Sequence, residues 1–279
     1  MILYEKAASC ARKRRGSPKG FGRILLPAGA NHTFEEALFI MAKPLADYVK
    51  LPGLDEYKEW FKDFADLKRE DGILQVTWKT NDGPMHHSGM SHRAMSQLTR
   101  YISMDLENEI IIYTHIGDNW MIESDANGWE TYSELPRQRF EHQYFDDTNL
   151  IKNMVFDLQV PTIGAMPGPG FHWDSAMLCD VTIVTEDTKI EVPHAQGGLV
   201  PGDGMGLMFQ HYLGTKRGNY YMMTSRQVTA QQMLDWGLCS EVVPKGKAVE
   251  RAWEIARMWK RMPYENRCIM SNLAKRPLM

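Results

Sequence analysis

The sequence is short of the features that would commit a chain to secretion, a membrane or a disulfide scaffold. Its four cysteines, Cys10, Cys179, Cys239 and Cys268, lie far apart with no C-x-x-C spacing. They are too few and too scattered for a disulfide framework, so a reducing cytoplasm is the expected setting. No apolar run approaches the roughly 18 to 20 residues that span a bilayer. The basic run Arg12-Lys13-Arg14-Arg15 is followed by Gly16, Ser17 and Pro18, not by the apolar stretch of a signal peptide. Charge of one sign is lacking too: 32 Lys+Arg stand against 35 Asp+Glu. That balance leaves no global field to recruit nucleic acid or an anionic membrane, and a small-molecule substrate fits better.

What is present is a core. With 279 residues, 43% of them hydrophobic, the chain can bury a substantial interior. Residues 1–56 read as a partly flexible N-terminal extension. The basic run there is a solvated segment, and Thr33 to Glu36 looks like a helix start. From 57 to 279 short strands and helices alternate, an α/β pattern. Gly72 to Trp78 and Glu109 to Thr114 read as strands flanking a helix over Ser91 to Met104. Asn149 to Leu158 reads as a helix, and Pro161 to Ala165 and Val181 to Thr185 as strands. Thr229 to Trp236 and Lys247 to Met262 are expected as the closing helices, the second ended by Pro263. Its apolar stripe is Val249, Trp253, Ala256 and Trp259.

The chemistry concentrates in Pro193 to Gly206. His194 and Asp203 stand nine positions apart on a glycine-rich loop with few apolar side chains between them. A histidine titrates near neutral pH, and a carboxylate that fixes its tautomer makes it a base for activating water. Asp203 has a second reading, as the cap of a helix starting near Gly204. His86, His87 and His92 have no Cys or carboxylate at a spacing that completes a metal site, so no metal is expected. Gly202-x-Gly204-x-Gly206 lacks the spacing of a dinucleotide loop, and no cofactor is expected.

Taken together, several segments resemble the crotonase, or enoyl-CoA hydratase/isomerase, superfamily. They are Gly117 to Asp125, Gly168-Pro169-Gly170-Phe171-His172-Trp173-Asp174, the Pro193 to Gly206 loop, Arg217 to Tyr220 and Gly237 to Val243. The resemblance covers about Tyr57 to Arg267. It implies a spiral of ββα units, assembled as a homo-trimer or a dimer of trimers. Within the superfamily the match is to the β-diketone hydrolases, through Ser91-His92, His172-x-Asp174, Pro193-His194 and Gly198 to Gly204. In ordinary hydratases the position of His194 carries a catalytic Glu, that of Asp203 a small uncharged residue and that of His172 a glycine. Asp174 falls where hydratases carry their other catalytic Glu.

The resemblance thus implies His194, Asp203, His172 and Asp174 as catalytic residues. It implies His87, His92, Trp120, Ile122, Phe171 and Trp173 around the substrate, with backbone N–H groups near Ile122 and Phe171 as oxyanion donors. The implied reaction is retro-Claisen cleavage of a cyclic β-diketone, with His172 donating to the oxyanion or enolate. A buried histidine satisfied by a carbonyl is the plainer reading of His172. His87 stands where the β-diketone hydrolases have a tryptophan, so a more polar wall and a different diketone are expected. The family continues past the region of Lys275, and truncated C-terminal helices are the corresponding expectation. Two other readings stay open: an acyl-CoA hydratase or isomerase, and a non-catalytic subunit of the same fold.

Overall fold

The most apolar run, Ile110–His115 (β4), is buried at every position and lies inside the main sheet, as a strand covered on both faces must. The computed structural model describes residues 51–125, 136–140, 145–275 and 277. Most of the expected N-terminal extension, including the helix start at 33–36, lies outside the described residues.

Six strands form the sheet in the order β1 (Ala65–Glu70), β2 (Ile73–Trp78), β4, β6 (Thr162–Met166), β7 (Val181–Thr185) and β10 (Glu241–Val243). The β1–β2 hairpin is antiparallel. Every later pair is parallel, in registers such as Ile73↔Ile110, Ile111↔Thr162 and Ile163↔Val181. Alternate side chains enter two cores. Ile110, Ile112, Ile163 and Ile183 pack with Ala252, Trp253 and Ala256 of α8 (Ala248–Lys260). Leu74, Val76, Ile111, Tyr113 and Val184 join the second core with Met95, Leu98 and Ile102 of α2 (Gly89–Met104).

The spiral is visible in the connections, with α1 (Leu54–Trp60) leading into β1 and α7 (Ala230–Asp235) following the short strand Val228–Thr229. After β2 comes β3 (His86–His87), then α2; after β4 comes β5 (Glu123–Ser124), then α3 (Pro136–Phe140) and α4 (Asp146–Lys152). After β6 comes a bridge at Phe171, then α5 (Asp174–Met177); β8 (Lys189–Ile190) follows β7. The short strands pair with one another, β3 with β5 and β8 with β9 (Val228–Thr229). This α/β spiral is the fold expected from the resemblance. The segments with His87, Trp120 and His172 follow the C-terminal ends of the parallel strands β2, β4 and β6, where sites in such sheets form, and the Pro193 loop follows the antiparallel β8.

Three expectations need adjustment. The helix expected at Asn149 to Leu158 begins at Asp146 and finishes in a π-helical turn, Asn153–Asp157. The strand β1 had not been foreseen. Lys247 to Met262 does not close the chain, because α9 (Tyr264–Lys275) follows Pro263 directly. Among the described residues no helix is long and apolar enough to cross a membrane.

Candidate active site

Three chain segments bring four histidines, His87, His92, His172 and His194, to one place. Ser88 starts α2: its hydroxyl accepts the Ser91 N–H at 3.2 Å and the Ser91 hydroxyl accepts the Ser88 N–H at 2.9 Å. This reciprocal cap fixes the direction of the helix. It sets His87 just before the first turn and puts His92 on the buried face.

The segments after β4 and β6 lie against each other. Met121 and Phe171 form an antiparallel bridge, in which the Phe171 N–H donates to the Met121 carbonyl at 2.8 Å. The glycines of the second segment permit this approach, since a Cβ on Gly170 would sit 2.5 Å from the Met121 nitrogen. Beyond the bridge His172 takes a left-handed backbone, φ +51°, uncommon for a residue with a Cβ and often found at functional sites.

The consequence is a cluster of imidazoles. The His172 ring centre lies 4.3 Å from that of His87 and 5.2 Å from that of His92, and His87 and His92 are 5.7 Å apart. His172 Nδ1 faces two carboxylates, Asp174 Oδ1 at 3.4 Å and Asp203 Oδ2 at 3.9 Å. His172, Asp174 and Asp203 are all buried. Carboxylates and imidazole rings thus surround His172.

His194 reaches the same group on a single 3-10 turn, Pro193–Ala195. Its Nε2 lies 3.2 Å from Asp203 Oδ2, within ion-pair range although bent from a linear hydrogen bond. The other oxygen of Asp203 accepts the Met205 N–H at 3.3 Å, in the first turn of α6 (Met205–Thr224). The two readings of Asp203 are therefore both present, one on each oxygen. Burial pushes the Asp203 carboxyl up, but the His194 contact and the nearby His172 outweigh it and hold the group below the usual carboxylate range. Burial and the neighbouring imidazoles of His172, His92 and His194 push His87 far down, so it stays neutral.

Several expected substrate contacts have other work. Trp120 is buried and its Nε1 donates to the His172 carbonyl at 2.9 Å. Trp173 is buried against Phe209, with Nε1 donating 2.8 Å to the Glu191 carbonyl. A buried indole N–H needs an acceptor, and a backbone carbonyl supplies it to each of these tryptophans. The Phe171 N–H, expected as an oxyanion donor, is engaged by Met121. Phe171 meets the His87 ring edge-on at 5.6 Å. Ile122, beside the bridge, is 48% exposed.

One residue at the site escaped the sequence reading. His115 ends β4, is fully buried, and lies 4.1 Å from the Trp120 ring that supports His172. Neither of its nitrogens has a hydrogen-bond partner among the described residues. Burial, with His172 adding to it, pushes its pKa down to about 3. The available signal was a titratable residue closing an otherwise apolar strand.

Comparison with known proteins adds the following. A family model for enoyl-CoA hydratase/isomerase matches residues 126–276. Carnitinyl-CoA dehydratase from Salmonella typhi is 31% identical over 195 residues, which is 68% of this chain and 72% of that protein. Among solved structures, a β-diketone hydrolase from the cyanobacterium Anabaena, bound to (S)-3-oxocyclohexyl acetic acid, matches with a TM-score of 0.74 and 31% identity, covering 82% of this chain and 90% of that one. An enoyl-CoA hydratase/isomerase from Mycobacterium paratuberculosis matches with a TM-score of 0.71 at 18% identity, covering 82% and 88%, a likeness of fold.

Proposed function

The chain belongs to the enoyl-CoA hydratase/isomerase family, and from that premise we propose that it hydrolyses a carbon–carbon bond of a cyclic β-diketone by a retro-Claisen reaction. The observation that carries this reading is the His194–Asp203 contact of 3.2 Å, with His172 beside the same carboxylate. A base oriented by a buried carboxylate is what activation of water requires, with water in the place a serine takes in a triad.

Asp203 holds His194 through Nε2, which places the ring proton there. The other nitrogen, Nδ1, is buried with no hydrogen-bond partner among the described residues, and its lone pair takes the proton from water. The water oxygen bonds to one ketone carbon, and the electron pair of that carbonyl moves to its oxygen. On collapse, the bond from that carbon to the central carbon breaks and its electron pair becomes an enolate of the second ketone. Protonation of the enolate carbon by the His194 imidazolium gives a keto acid and restores the base. His172 donates an N–H to the oxyanion, a role typically worth roughly 10²- to 10³-fold in rate. A ring ketone carrying a carboxylate, the class of molecule bound by the Anabaena hydrolase, is what such cleavage of a bicyclic β-diketone releases.

The carnitinyl-CoA dehydratase relative, at 31% identity, favours a second reading, an acyl-CoA dehydratase. One assay separates the two: bicyclic and monocyclic 1,3-diketones run beside carnitinyl-CoA and crotonyl-CoA, read by loss of diketone absorbance and by mass. Diketone turnover with gain of one water is expected. Turnover of the thioesters alone, or calorimetric binding of coenzyme A tighter than about 10 μM, near −7 kcal/mol, overturns the hydrolase reading. Turnover of neither class points to the non-catalytic subunit.

A further inference from the structure

We propose that His87, His92 and His172 form a three-histidine site for one divalent transition-metal ion of the zinc type. Each offers a nitrogen, and these three atoms lie within 4.8 Å of one another. In sequence His87 and His92 lack a completing ligand; the fold supplies one from eighty positions further on, by turning the chain left-handed at His172.

The ring geometry suits a tetrahedral ion. With metal–nitrogen bonds of roughly 2.0–2.1 Å, three imidazoles around one such ion hold their ring centres about 5 Å apart. The observed separations are 4.3, 5.2 and 5.7 Å, with ring planes inclined at 35°, 59° and 87°. Parallel stacked rings could not converge on one point; these can, with side-chain shifts of about an ångström on binding.

What surrounds the third ligand strengthens the assignment. An imidazole that faces a carboxylate through Nδ1 binds a metal through Nε2, and the carboxylate fixes its tautomer and raises its basicity. His172 has that arrangement, with Asp174 Oδ1 3.4 Å from Nδ1. His172, Asp174 and Asp203 also offer atoms within 4.8 Å of one another. Two buried carboxylates so close together counterbalance a doubly charged ion, which an apolar cavity would reject. Three histidines leave a fourth position open for water or a ketone oxygen. A bound ion would supply Lewis-acid polarisation of a carbonyl at that position, in place of the His172 N–H.

The binding site does not depend on the diketone reading, and its test needs no substrate. Chelator-stripped protein is titrated with Co²⁺ while visible absorption is followed, and with Zn²⁺ by calorimetry, with metal content read by mass spectrometry after dialysis. One equivalent per chain is expected, with the intense visible bands of a four-coordinate cobalt ion. H87Q and H92Q should each weaken Zn²⁺ binding more than about tenfold, and D174N about 10- to 100-fold, the range for a second-shell partner. H194A, outside the triad, should bind as the parent does. Circular dichroism and melting check each variant; should H92Q not fold, H87Q at the partly open end of the cluster carries the test. No stoichiometric uptake at 100-micromolar metal, on the order of −5 kcal/mol, or uptake that H87Q leaves intact, overturns the site. Uptake or its absence decides whether an ion or the His172 N–H meets the oxyanion; whether diketones are turned over at all is measured separately.

Discussion

The indole N–H of Trp120 donates to the backbone carbonyl of His172 at 2.9 Å, tying the segment after β4 to a residue that holds a left-handed backbone although it is not glycine. The Ser175 hydroxyl reaches the same carbonyl at 3.2 Å. Two donors on one carbonyl hold His172 in a conformation that its side chain disfavours. Trp120→Phe removes one donor while keeping most of the ring's packing. A loss of about 1–2 kcal/mol in urea unfolding is expected, together with a fall in kcat as His172 loses its orientation. Unchanged kcat in a destabilised variant would separate the support of the fold from the support of the site.

Because His194 and Asp203 touch, their effects should not add. His194→Ala and Asp203→Asn are each expected to lower kcat by roughly 10²- to 10⁴-fold. The double variant should lose little beyond the worse single one. Additive losses in the cycle would show two independent residues and sink the dyad. Stability offers a second readout. Asp203 has a depressed folded-state pKa, so its contribution is present above the unfolded carboxylate value, near pH 3.9, and is lost as pH falls through the folded value. Asp203→Asn should remove that acid-side loss.

How far the sequence could be read depended on what each element buries. The strands β4, β6 and β7 announce themselves because both faces are covered, and α8 because its stripe is apolar. Strand β1, Ala-Asp-Leu-Lys-Arg-Glu, alternates buried and exposed positions at its start, but only Ala65 and Leu67 are apolar, too few to mark a strand by alternation. Helix α9 was missed for a different reason. It buries Arg267, Cys268, Ser271 and Lys275, a mostly polar face that apolar periodicity cannot detect. That face is satisfied through Arg267 on Glu109, Ser271 on Asp180 and Lys275 on the Leu158 carbonyl. The His194–Asp203 contact was legible from a shared loop. The convergence of His87, His92 and His172 was not, because two of them precede β4 and the third follows β6.

The close approach of the segments after β4 and β6 rests on glycine. A Cβ on Gly168 would overlap the Asp118 carbonyl oxygen, and one on Gly170 would press on Met121 and Trp120. Backbone cannot yield as a flexible side chain can, so Gly170→Ala should part the Met121–Phe171 bridge at a cost of about 1–3 kcal/mol. The midpoint of urea unfolding should fall and His172 should lose its place, lowering kcat further than stability alone accounts for. A fully active, equally stable variant would show that the bridge does not position the site.

His115 gives a prediction with a defined pH window. Its folded-state pKa is pushed from 6.5 to about 3, with burial as the largest cause. Between those values the unfolded chain binds a proton that the folded chain refuses. Stability therefore rises with pH across that window, is flat above it, and falls as the solution is acidified, by up to about 1.4 kcal/mol per pH unit for one group. His115→Phe keeps the ring, its burial and its contact with Trp120, and removes the two buried nitrogens. At pH 5 the variant should be more stable than the parent by about 2 kcal/mol, from 1.5 units of the window. At pH 8 the difference should be within about 1 kcal/mol, the scale of a single hydrogen bond. His87 shifts in the same direction, so part of the acid sensitivity should persist in the variant. Denaturant melts at several pH values check this; parallel curves for parent and variant would mean that His115 takes up its proton in the folded chain.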